Sequence, residues 1–382
     1  MQLARRIQNI TPSLTLAIEA KAKRLKQEGI DVISFSAGEP DFDTPEPIKQ
    51  AAIRSLNAGF TKYTPAAGIP ELRKAISEKL ARENHLEYKP DEIVVSCGAK
   101  HAIYNALQVL VDEGDEVIIL SPYWLSYPEM VALAGGRAIL MTTDMKAGYL
   151  PDPNQLSRLI TSRTKLLVLN SPSNPTGAVI PRSLLGEIVA IAKEHSFFIL
   201  SDEIYEKLIY DGNLHDSPGA LDPAVFKRTI TIGGASKTYA MTGWRLGFSA
   251  SPRPIAEACA SLQSHSTSNP TSFAQAGYLE ALRGGDGDIK RMRDAFQKRR
   301  DLMFDFLSRL DRLKPFKPGG AFYLFVDISQ TRLSSLEFSE RLLEEAKVAV
   351  VPGIAFGDDQ AVRLSFATSE SLIEAGVARI RE

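Results

Sequence analysis

Short apolar segments alternate with helical segments through the middle of the chain, and this alternation most constrains the fold. The segments lie at 93–96, 116–120, 166–169, 197–200 and 229–232. Strands that are buried on both faces have nearly continuous apolar sequences, and helices between them favour parallel pairing. The pattern therefore predicts an α/β fold with three layers, in which a doubly wound, mainly parallel sheet lies between helices.

The composition is that of an ordinary globular enzyme of 382 residues. Lys plus Arg (45) nearly balance Asp plus Glu (46), which leaves a formal charge of -1 and no basic surface for nucleic acid or anionic membranes. Small molecules are therefore the expected partners. Cys97 and Cys259 fit a reducing compartment, and with no export signal or membrane anchor in the sequence a cytoplasmic location is expected. The five histidines are not spaced as metal ligands, so no metal site is expected.

The last third of the chain predicts a smaller α+β domain. Strands at 319–326 and 348–353 are expected around a helix at 335–347, and a long charged helix at 289–310 leads into them. A larger domain is expected before this part of the chain. The expected boundaries are 1–14 for an N-terminal arm, 15–47 with 300–382 for the small domain, and 48–299 for the large domain.

The segment 233–247 places Lys237 and Arg245 among small residues between two predicted strands. A lysine amine can condense with an aldehyde, small residues leave room for a ring, and a guanidinium suits a phosphate. For an isolated lysine, a solvated surface position is the more common interpretation. Here the flanking strands instead favour a site for a phosphorylated aldehyde cofactor.

Two further features are consistent with such a cofactor. Asp202 follows the apolar segment 197–200 and would be a buried unpaired charge unless a cation, such as a protonated pyridine nitrogen, meets it. Residues 98–100 form a glycine turn between a strand and a helix, where free N–H groups suit a phosphate. The turn alone is weak evidence, since many glycine turns bind nothing.

Two segments are candidates for substrate binding. The loop 170–177 contains Asn174 and follows a predicted parallel strand, and such loops commonly bind ligands, although the loop is also rich in ordinary turn residues. Arg363 lies inside the apolar segment 362–366 with no acidic residue adjoining it. A substrate carboxylate held by two hydrogen bonds is a candidate partner for this cation.

These motifs resemble, in the same order and over essentially the full length, those of the class I aminotransferases, which are fold-type-I enzymes of pyridoxal phosphate. The chain is most similar to the prokaryotic-type branch, which contains aspartate aminotransferases and glutamate- or aspartate-prephenate aminotransferases. It differs from the enteric and animal branch at Gly234, where that branch has a phosphate-binding serine, and at 264–268, which contain no arginine for the distal carboxylate.

The resemblance implies a set of cofactor contacts. Lys237 would bind the aldehyde and transfer protons, Asp202 would contact the ring nitrogen, and Tyr205 the ring oxygen. Trp124 would stack on the ring and Asn174 would also contact the ring oxygen. The phosphate would be bound by Gly98, Ala99, Lys100, Ser236, Arg245 and Tyr63, the last from the neighbouring subunit, which implies a homodimer with shared active sites.

The resemblance also implies a set of substrate contacts. The α-carboxylate would be bound by Gly38, Asn174 and Arg363, with Trp124 beside it. The distal carboxylate of an acidic substrate would be bound by Lys100, with a hydroxyl from Ser13 or Thr15.

The implied reaction is a ping-pong amino transfer between L-aspartate or L-glutamate and 2-oxoglutarate or oxaloacetate. Prephenate amination is an alternative or additional activity, and a pyridoxal-phosphate-dependent β-lyase would use the same Lys, Asp and Arg. A non-catalytic regulator is disfavoured, because no DNA-binding extension is evident in this nearly neutral chain.

Overall fold

The computed structural model describes residues 4–8, 10 and 14–382. Within these residues, no helix is both long and apolar enough to cross a membrane. The helices of eight or more residues are Leu14–Gln27, Glu46–Asn57, Pro70–Lys79, Ala99–Leu110, Ser126–Leu133, Arg182–His195, Arg253–Ser264, Ser272–Arg283, Gly287–Leu307, Ser335–Glu345 and Glu370–Arg381. Shorter helices are Arg5–Gln8, Pro153–Leu159, Pro223–Phe226, Ala235–Thr238 and the π-helical turn Leu80–Asn84.

A seven-stranded sheet forms the centre of the larger part of the molecule. In spatial order its strands are Ile93–Ser96, Gly247–Ala250, Thr229–Gly234, Phe198–Asp202, Thr164–Asn170, Glu116–Ser121 and Arg137–Thr142. The strand Gly247–Ala250 is antiparallel to both of its neighbours, and the other neighbouring strands pair in parallel. The prediction of a doubly wound, mainly parallel sheet is confirmed.

Both faces of the central strands are buried, whereas the edge strand Arg137–Thr142 is mostly exposed or half-buried. In the strand Thr164–Asn170, Leu166 and Val168 pack with the helices Ala99–Leu110 and Ser126–Leu133, whereas Leu167 and Leu169 pack with the helix Arg182–His195 on the other face. Alternate side chains of a strand point to opposite faces, so a strand covered on both sides must be apolar throughout.

A smaller lobe contains the helix Leu14–Gln27 and the C-terminal part of the chain. A four-stranded antiparallel sheet has the order Val351–Pro352, Ala361–Ser365, Tyr323–Asp327 and Lys314–Pro315. A separate parallel pair joins Ile33–Ser34 to Val348–Ala349. The expected single strand at 348–353 is therefore wrong, because its two halves pair in different sheets.

Other expected elements are shifted at their ends. The strand predicted at 319–326 is Tyr323–Asp327, and the helix predicted at 289–310 is Gly287–Leu307. This helix runs unbroken through position 300, and the helix Glu46–Asn57 runs through position 47. The predicted domain boundaries stay a prediction.

Candidate active site

A cavity of about 250 Å³ lies at the carboxyl ends of the parallel strands, between the large sheet and the small lobe. This is where ligands bind in open α/β sheets. Most of the site residues predicted from the sequence line it, namely Thr15, Gly38, Ala99, Lys100, Trp124, Asn174, Asp202, Tyr205, Ser236, Lys237, Arg245 and Arg363. The fold thus brings together residues that are more than 300 positions apart in sequence.

Lys237 lies in a single helical turn directly after the strand Thr229–Gly234. Its amine donates a hydrogen bond of 2.6 Å to the carbonyl oxygen of Gly38. Burial lowers the pKa of Lys237 to about 8, and the nearby guanidinium of Arg363 also lowers it, against the opposing effect of Glu39. A substantial fraction of this amine is therefore neutral near pH 8 and can act as a nucleophile or a base.

Asp202 ends the strand Phe198–Asp202 and is almost fully buried. One carboxylate oxygen accepts a 2.6 Å hydrogen bond from the hydroxyl of Tyr127, and the other accepts one of 3.3 Å from the backbone of Ile204. Both donors are neutral. Burial raises the pKa of Asp202 to about 6, although the Tyr127 bond opposes the rise. A cation placed against this carboxylate would be stabilised by it.

Tyr205 lies one turn beyond Asp202, and its hydroxyl is 3.0 Å from the hydroxyl of Tyr323. Both rings are buried, and burial raises the pKa of each phenol above its ordinary value. The two hydroxyls therefore remain neutral and can donate hydrogen bonds into the cavity at physiological pH.

Arg363 lies in the strand Ala361–Ser365 and is fully surrounded by protein. Its guanidinium lies 4.3 Å from the ring centroid of Tyr323 and 4.9 Å from that of Phe356. It donates to Asn174 Oδ1 (2.9 Å) and to the carbonyl of Ser36 (3.1 Å). Its Nε is buried without a hydrogen-bond acceptor, and no carboxylate among the described residues forms an ion pair with it. The cation lines the cavity with binding capacity left for an anion.

The opposite end of the cavity is cationic and narrow. Gly98 precedes the helix Ala99–Leu110 with φ 94°, and a Cβ there would lie 2.5 Å from Nη2 of Arg245. Arg245 also donates to the carbonyls of Thr242 and Cys97. The positive φ of Gly98 favours glycine, and its turn lies against this guanidinium, so the N-terminus of the helix and the cation can approach the same anion.

Lys100 and Thr15 flank the mouth of the cavity. The amine of Lys100 is exposed and lies 4.9 Å from the ring centroid of Trp124. Partial burial and the charge of Arg245 lower its pKa. The hydroxyl of Thr15 is buried without a hydrogen-bond partner although it lines the cavity. Both groups are available to a polar ligand.

Two of the predicted residues that the structure describes, Gly98 and Tyr63, are not part of the cavity lining. Gly98 lies just behind it, as the residue that precedes the helix. Tyr63 is 90% exposed and lies outside the cavity of its own chain. Ser13 lies outside the described residues.

Sequence reasoning missed Tyr127, Tyr323 and Asn170. The hydroxyl of Tyr127 bonds to Asp202, that of Tyr323 bonds to Tyr205, and Asn170 joins the carbonyl of Asp202 to the backbone of Asn174. Tyr127 follows Trp124 by three positions, a spacing that puts both side chains on one side of a helical turn. This spacing could have indicated that Tyr127 lies in the cavity beside Trp124. The other two are evident only from the folded chain.

The donor set of the cavity fits a phosphorylated pyridine aldehyde. Arg245 and the turn at Gly98 suit the phosphate, Lys237 suits the aldehyde, and Asp202 suits a ring nitrogen. The indole of Trp124 offers an aromatic face between them. The turn at Gly98 lies directly against the guanidinium of Arg245, so backbone N–H groups and a cation are close together.

Three comparisons with known proteins agree with this arrangement. The family model for aminotransferase class I and II matches residues 30–380. The chain is 49% identical to the aspartate aminotransferase of Bacillus sp. (strain YM-2), over 99% of this chain and 98% of that protein. It is 48% identical to the aspartate/prephenate aminotransferase of Thermus thermophilus, over 99% of this chain and 97% of that protein.

The solved structure of the Thermus thermophilus aspartate aminotransferase with maleate superimposes with a TM-score of 0.96. The two chains are 47% identical, and the match covers 100% of this chain and 99% of that one. Both the sequence family and the fold thus extend over nearly the whole molecule, and the chain belongs to the class I and II aminotransferase family.

Proposed function

We propose that this protein is a pyridoxal-phosphate-dependent aminotransferase that transfers the amino group between L-aspartate or L-glutamate and 2-oxoglutarate or oxaloacetate in a ping-pong cycle. One observation supports this proposal above all. The same cavity contains a lysine amine with a pKa near 8 and a buried guanidinium that has no carboxylate partner among the described residues. An amino acid substrate needs both, one for proton transfer and one for its α-carboxylate.

Pyridoxal phosphate, when bound, supplies an aldehyde that accepts the amino group and a ring that withdraws electrons from the reacting carbon. We assign Lys237 to the aldehyde, Trp124 to the face of the ring and Tyr205 with Asn174 to its oxygen. Gly98, Ala99, Lys100, Ser236 and Arg245 are assigned to the phosphate. Asp202 would hold a proton on the ring nitrogen, since a buried carboxylate with only neutral donors is stabilised by an adjacent cation.

Lys237 is the group that moves the substrate proton. The free amine of Lys237 has a lowered pKa. At moderate pH it can therefore accept a proton from the substrate Cα and later donate that proton to another atom of the reacting group. The hydrogen bond to the Gly38 carbonyl holds Nζ on the small-lobe side of the cavity, toward Arg363. The proton donor and the carboxylate site thus share one end of the cavity.

Arg363 would bind the substrate α-carboxylate together with Asn174 and a backbone group at Gly38. Its contact with Asn174 fixes the plane of the guanidinium, and no carboxylate among the described residues competes for the cation. A bidentate interaction would orient the Cα–H bond of the substrate relative to Lys237.

An acidic substrate carries a second carboxylate, for which Lys100 and Thr15 are the candidates, with Ser13 as a second possible hydroxyl. The amine of Lys100 and the buried, unpartnered hydroxyl of Thr15 both line the cavity. Relatives named as aspartate aminotransferases, and a structural neighbour solved with the dicarboxylate maleate, support a dicarboxylate substrate.

Prephenate is a second candidate acceptor, as the main or an additional activity. It also has two carboxylates, and a relative that is 48% identical is named aspartate/prephenate aminotransferase. Amination of prephenate with aspartate or glutamate as the donor is the direct test.

A homodimer with shared active sites, in a reducing cytoplasm, completes the proposal. The side chain of Tyr63 is 90% exposed, which is unusual for a large aromatic residue, and contact with a partner's phosphate site would explain it. Cys97 and Cys259 are both free thiols, as a reducing compartment maintains them.

The first experiment is a coupled assay of the pyridoxal-phosphate-loaded protein with aspartate and 2-oxoglutarate. We expect oxaloacetate to form in amounts equal to the glutamate produced. Release of pyruvate and ammonia from a cysteine conjugate, without a need for a keto acid, would instead indicate a β-lyase.

Shared sites are tested by complementation. Tyr63→Ala and Lys237→Ala should each be inactive or nearly so, and mixing them under subunit exchange should restore activity through hybrid dimers with one intact site. Full activity of a demonstrated monomer would contradict the dimer proposal.

A further inference from the structure

A buried group of polar and charged side chains lies directly behind the strand end that carries Asp202 and Tyr205. Along residues 202–206, Asp202 and Tyr205 face the cavity, whereas the two glutamates between and after them face away from it. We call this group the rear cluster. It consists of Lys79, Asn84, Glu203, Glu206 and His215.

Lys79 and Asn84 join the two glutamates. The amine of Lys79 donates to Glu206 in a short ion pair and to Asn84 Oδ1 at 2.8 Å. The Asn84 amide donates in turn to Glu203 at 3.0 Å and to Glu206 at 2.8 Å. One amide and one amine thus connect the turn at 203–206 to the end of the helix Pro70–Lys79 and to the π-helical turn that follows it.

Glu203 has further partners on two other segments. Nε2 of His215 lies 2.9 Å from one of its carboxylate oxygens, and the hydroxyl of Ser217 donates to the same oxygen at 2.7 Å. The hydroxyl of Ser201 donates to the other oxygen at 2.8 Å. Glu203 is only 2% exposed, so all of these contacts are shielded from water.

A divalent metal is a possible occupant, because ligand atoms of Glu203, Glu206 and His215 lie within 4.8 Å of one another. However, the amine of Lys79 already supplies a positive charge inside the group. Lys79 also lies 3.8 Å from Glu83, which pairs with Lys207. With His215 protonated, three cations (Lys79, Lys207 and His215) balance three carboxylates (Glu83, Glu203 and Glu206), and a metal would have to displace the amine. The charge balance therefore favours an ionic cluster over a metal site.

We propose that the rear cluster is a positioning device that holds Asp202 and Tyr205 at their places in the cavity, an inference that rests on the proposed function. The two glutamates and the two cavity residues share one short stretch of backbone. Glu203 follows Asp202 and Glu206 follows Tyr205 within a five-residue segment, and the backbone of Glu206 donates to the carbonyl of Glu203. Movement of either glutamate would move the adjacent cavity group, and small displacements of catalytic groups are costly in rate.

The variant Lys79→Met removes the amine and leaves the two carboxylates with one buried cation. Because an unbalanced buried charge can prevent folding, the double variant K79M/E206Q removes one charge of each sign and keeps the balance. Lys74→Met is the matched control. It lies on the same helix and loses only an exposed contact of 3.7 Å with Glu78.

Each variant is measured for kcat, for KM of aspartate, for the dissociation constant of pyridoxal phosphate and for Tm. We expect K79M/E206Q to fold, to lose roughly ten- to a hundredfold in kcat and to bind the cofactor several-fold more weakly. The KM for aspartate should change little, because Arg363 and Asn174 do not contact the cluster. Lys74→Met should match the wild type in all four quantities.

A purely structural role would lower Tm and leave kcat and cofactor affinity at wild-type values, and that result would overturn the inference. Failure of the wild type to transaminate would contradict the proposed function instead. The cofactor dissociation constants of K79M/E206Q and the wild type would then decide the role of the cluster, with equal values counting against it.

Discussion

The two sides of the strand end at 202–206 differ in how their charges are balanced. On the cavity side, Lys237, Arg245 and Arg363 form no ion pair with any carboxylate in the described chain, and Asp202 has only neutral donors. On the rear side, Lys79 and His215 pair with Glu206 and Glu203. The same segment of backbone supports both arrangements.

This difference separates a binding site from a structural cluster. Buried charges are costly unless they are paired, so the buried charges of Arg363 and Asp202, which stay unpaired in the folded chain, indicate a ligand that completes them. The cavity lacks anions for its cations and a cation for Asp202, which is the complement of a phosphorylated pyridine and a carboxylate substrate. The rear cluster needs no ligand.

The largest expected effect is that of Lys237→Ala on the cavity side. Without the amine, neither covalent attachment nor proton transfer at Cα is possible by this route, so kcat/KM should fall by roughly four orders of magnitude or more. Steady-state assays with aspartate measure the loss, and circular dichroism checks the fold. Near wild-type turnover would show that Lys237 is not the reactive group.

Asp202→Asn comes next. The substitution preserves the size of the side chain and removes the charge that would hold a proton on the ring nitrogen, so kcat should fall by roughly a hundred- to a thousandfold. Tyr127→Phe is the matched control, since it removes one neutral hydrogen bond to the same carboxylate and should cost about tenfold at most. Equal losses in the two variants would contradict the charge argument.

Lys100→Ser tests the distal end of the cavity. Loss of one charge-assisted contact should reduce kcat/KM for aspartate and for prephenate by roughly ten- to a hundredfold, and leave an uncharged amino donor nearly unchanged. A similar reduction for all three substrates would mean that Lys100 serves the phosphate, and the dicarboxylate assignment would lose this support.

The smallest effect is expected on the rear side, in the pH dependence of stability. Burial lowers the pKa of His215, but Glu203 and Glu206 together raise it above its ordinary value. Because the pKa of His215 is higher in the folded state, its protonation stabilises the folded protein at pH values below the unfolded-state pKa, which is near 6.5. This stabilisation is lost as the pH rises through the folded-state pKa.

Glu206 contributes to the pH dependence of stability with the opposite sign. Burial raises its pKa, but the charges of Lys79 and His215 outweigh burial and lower it to about 2, so its contribution is present above about pH 4.5 and lost as the pH falls toward 2. The Tm difference between wild type and His215→Asn should therefore be a few degrees near pH 5–6 and shrink as the pH rises through the folded-state pKa of His215. A difference that grows with pH would contradict the pairing.

The sequence predicted which residues line the cavity better than it predicted their supporting contacts. The strand–helix alternation and the segments around Lys237, Asp202 and Asn174 were sufficient to place these residues at the carboxyl ends of strands. The partners of Asp202 and Tyr205 were not predictable, because Tyr127 and Tyr323 come from other segments whose distance depends on packing. The rear cluster was missed for the same reason, since Lys79 and His215 are 136 positions apart in the numbering.

Short elements were also poorly predicted. Residues 348–353 form one apolar run in sequence, yet Val348–Ala349 and Val351–Pro352 pair in separate sheets. Apolar composition indicates burial, but it does not identify the neighbouring strand, which is set by tertiary contacts. The proposed contact of Tyr63 with a second subunit likewise depends on surfaces that one chain does not contain.

The most direct test of the central claim is chemical labelling of the reactive amine. The protein is loaded with pyridoxal phosphate and reduced with borohydride, and the peptides are mapped by mass spectrometry. We predict a single phosphopyridoxyl label on Lys237, with none on Lys100, the other lysine that lines the cavity. A label on a different lysine, or no label at saturating cofactor, would contradict the account.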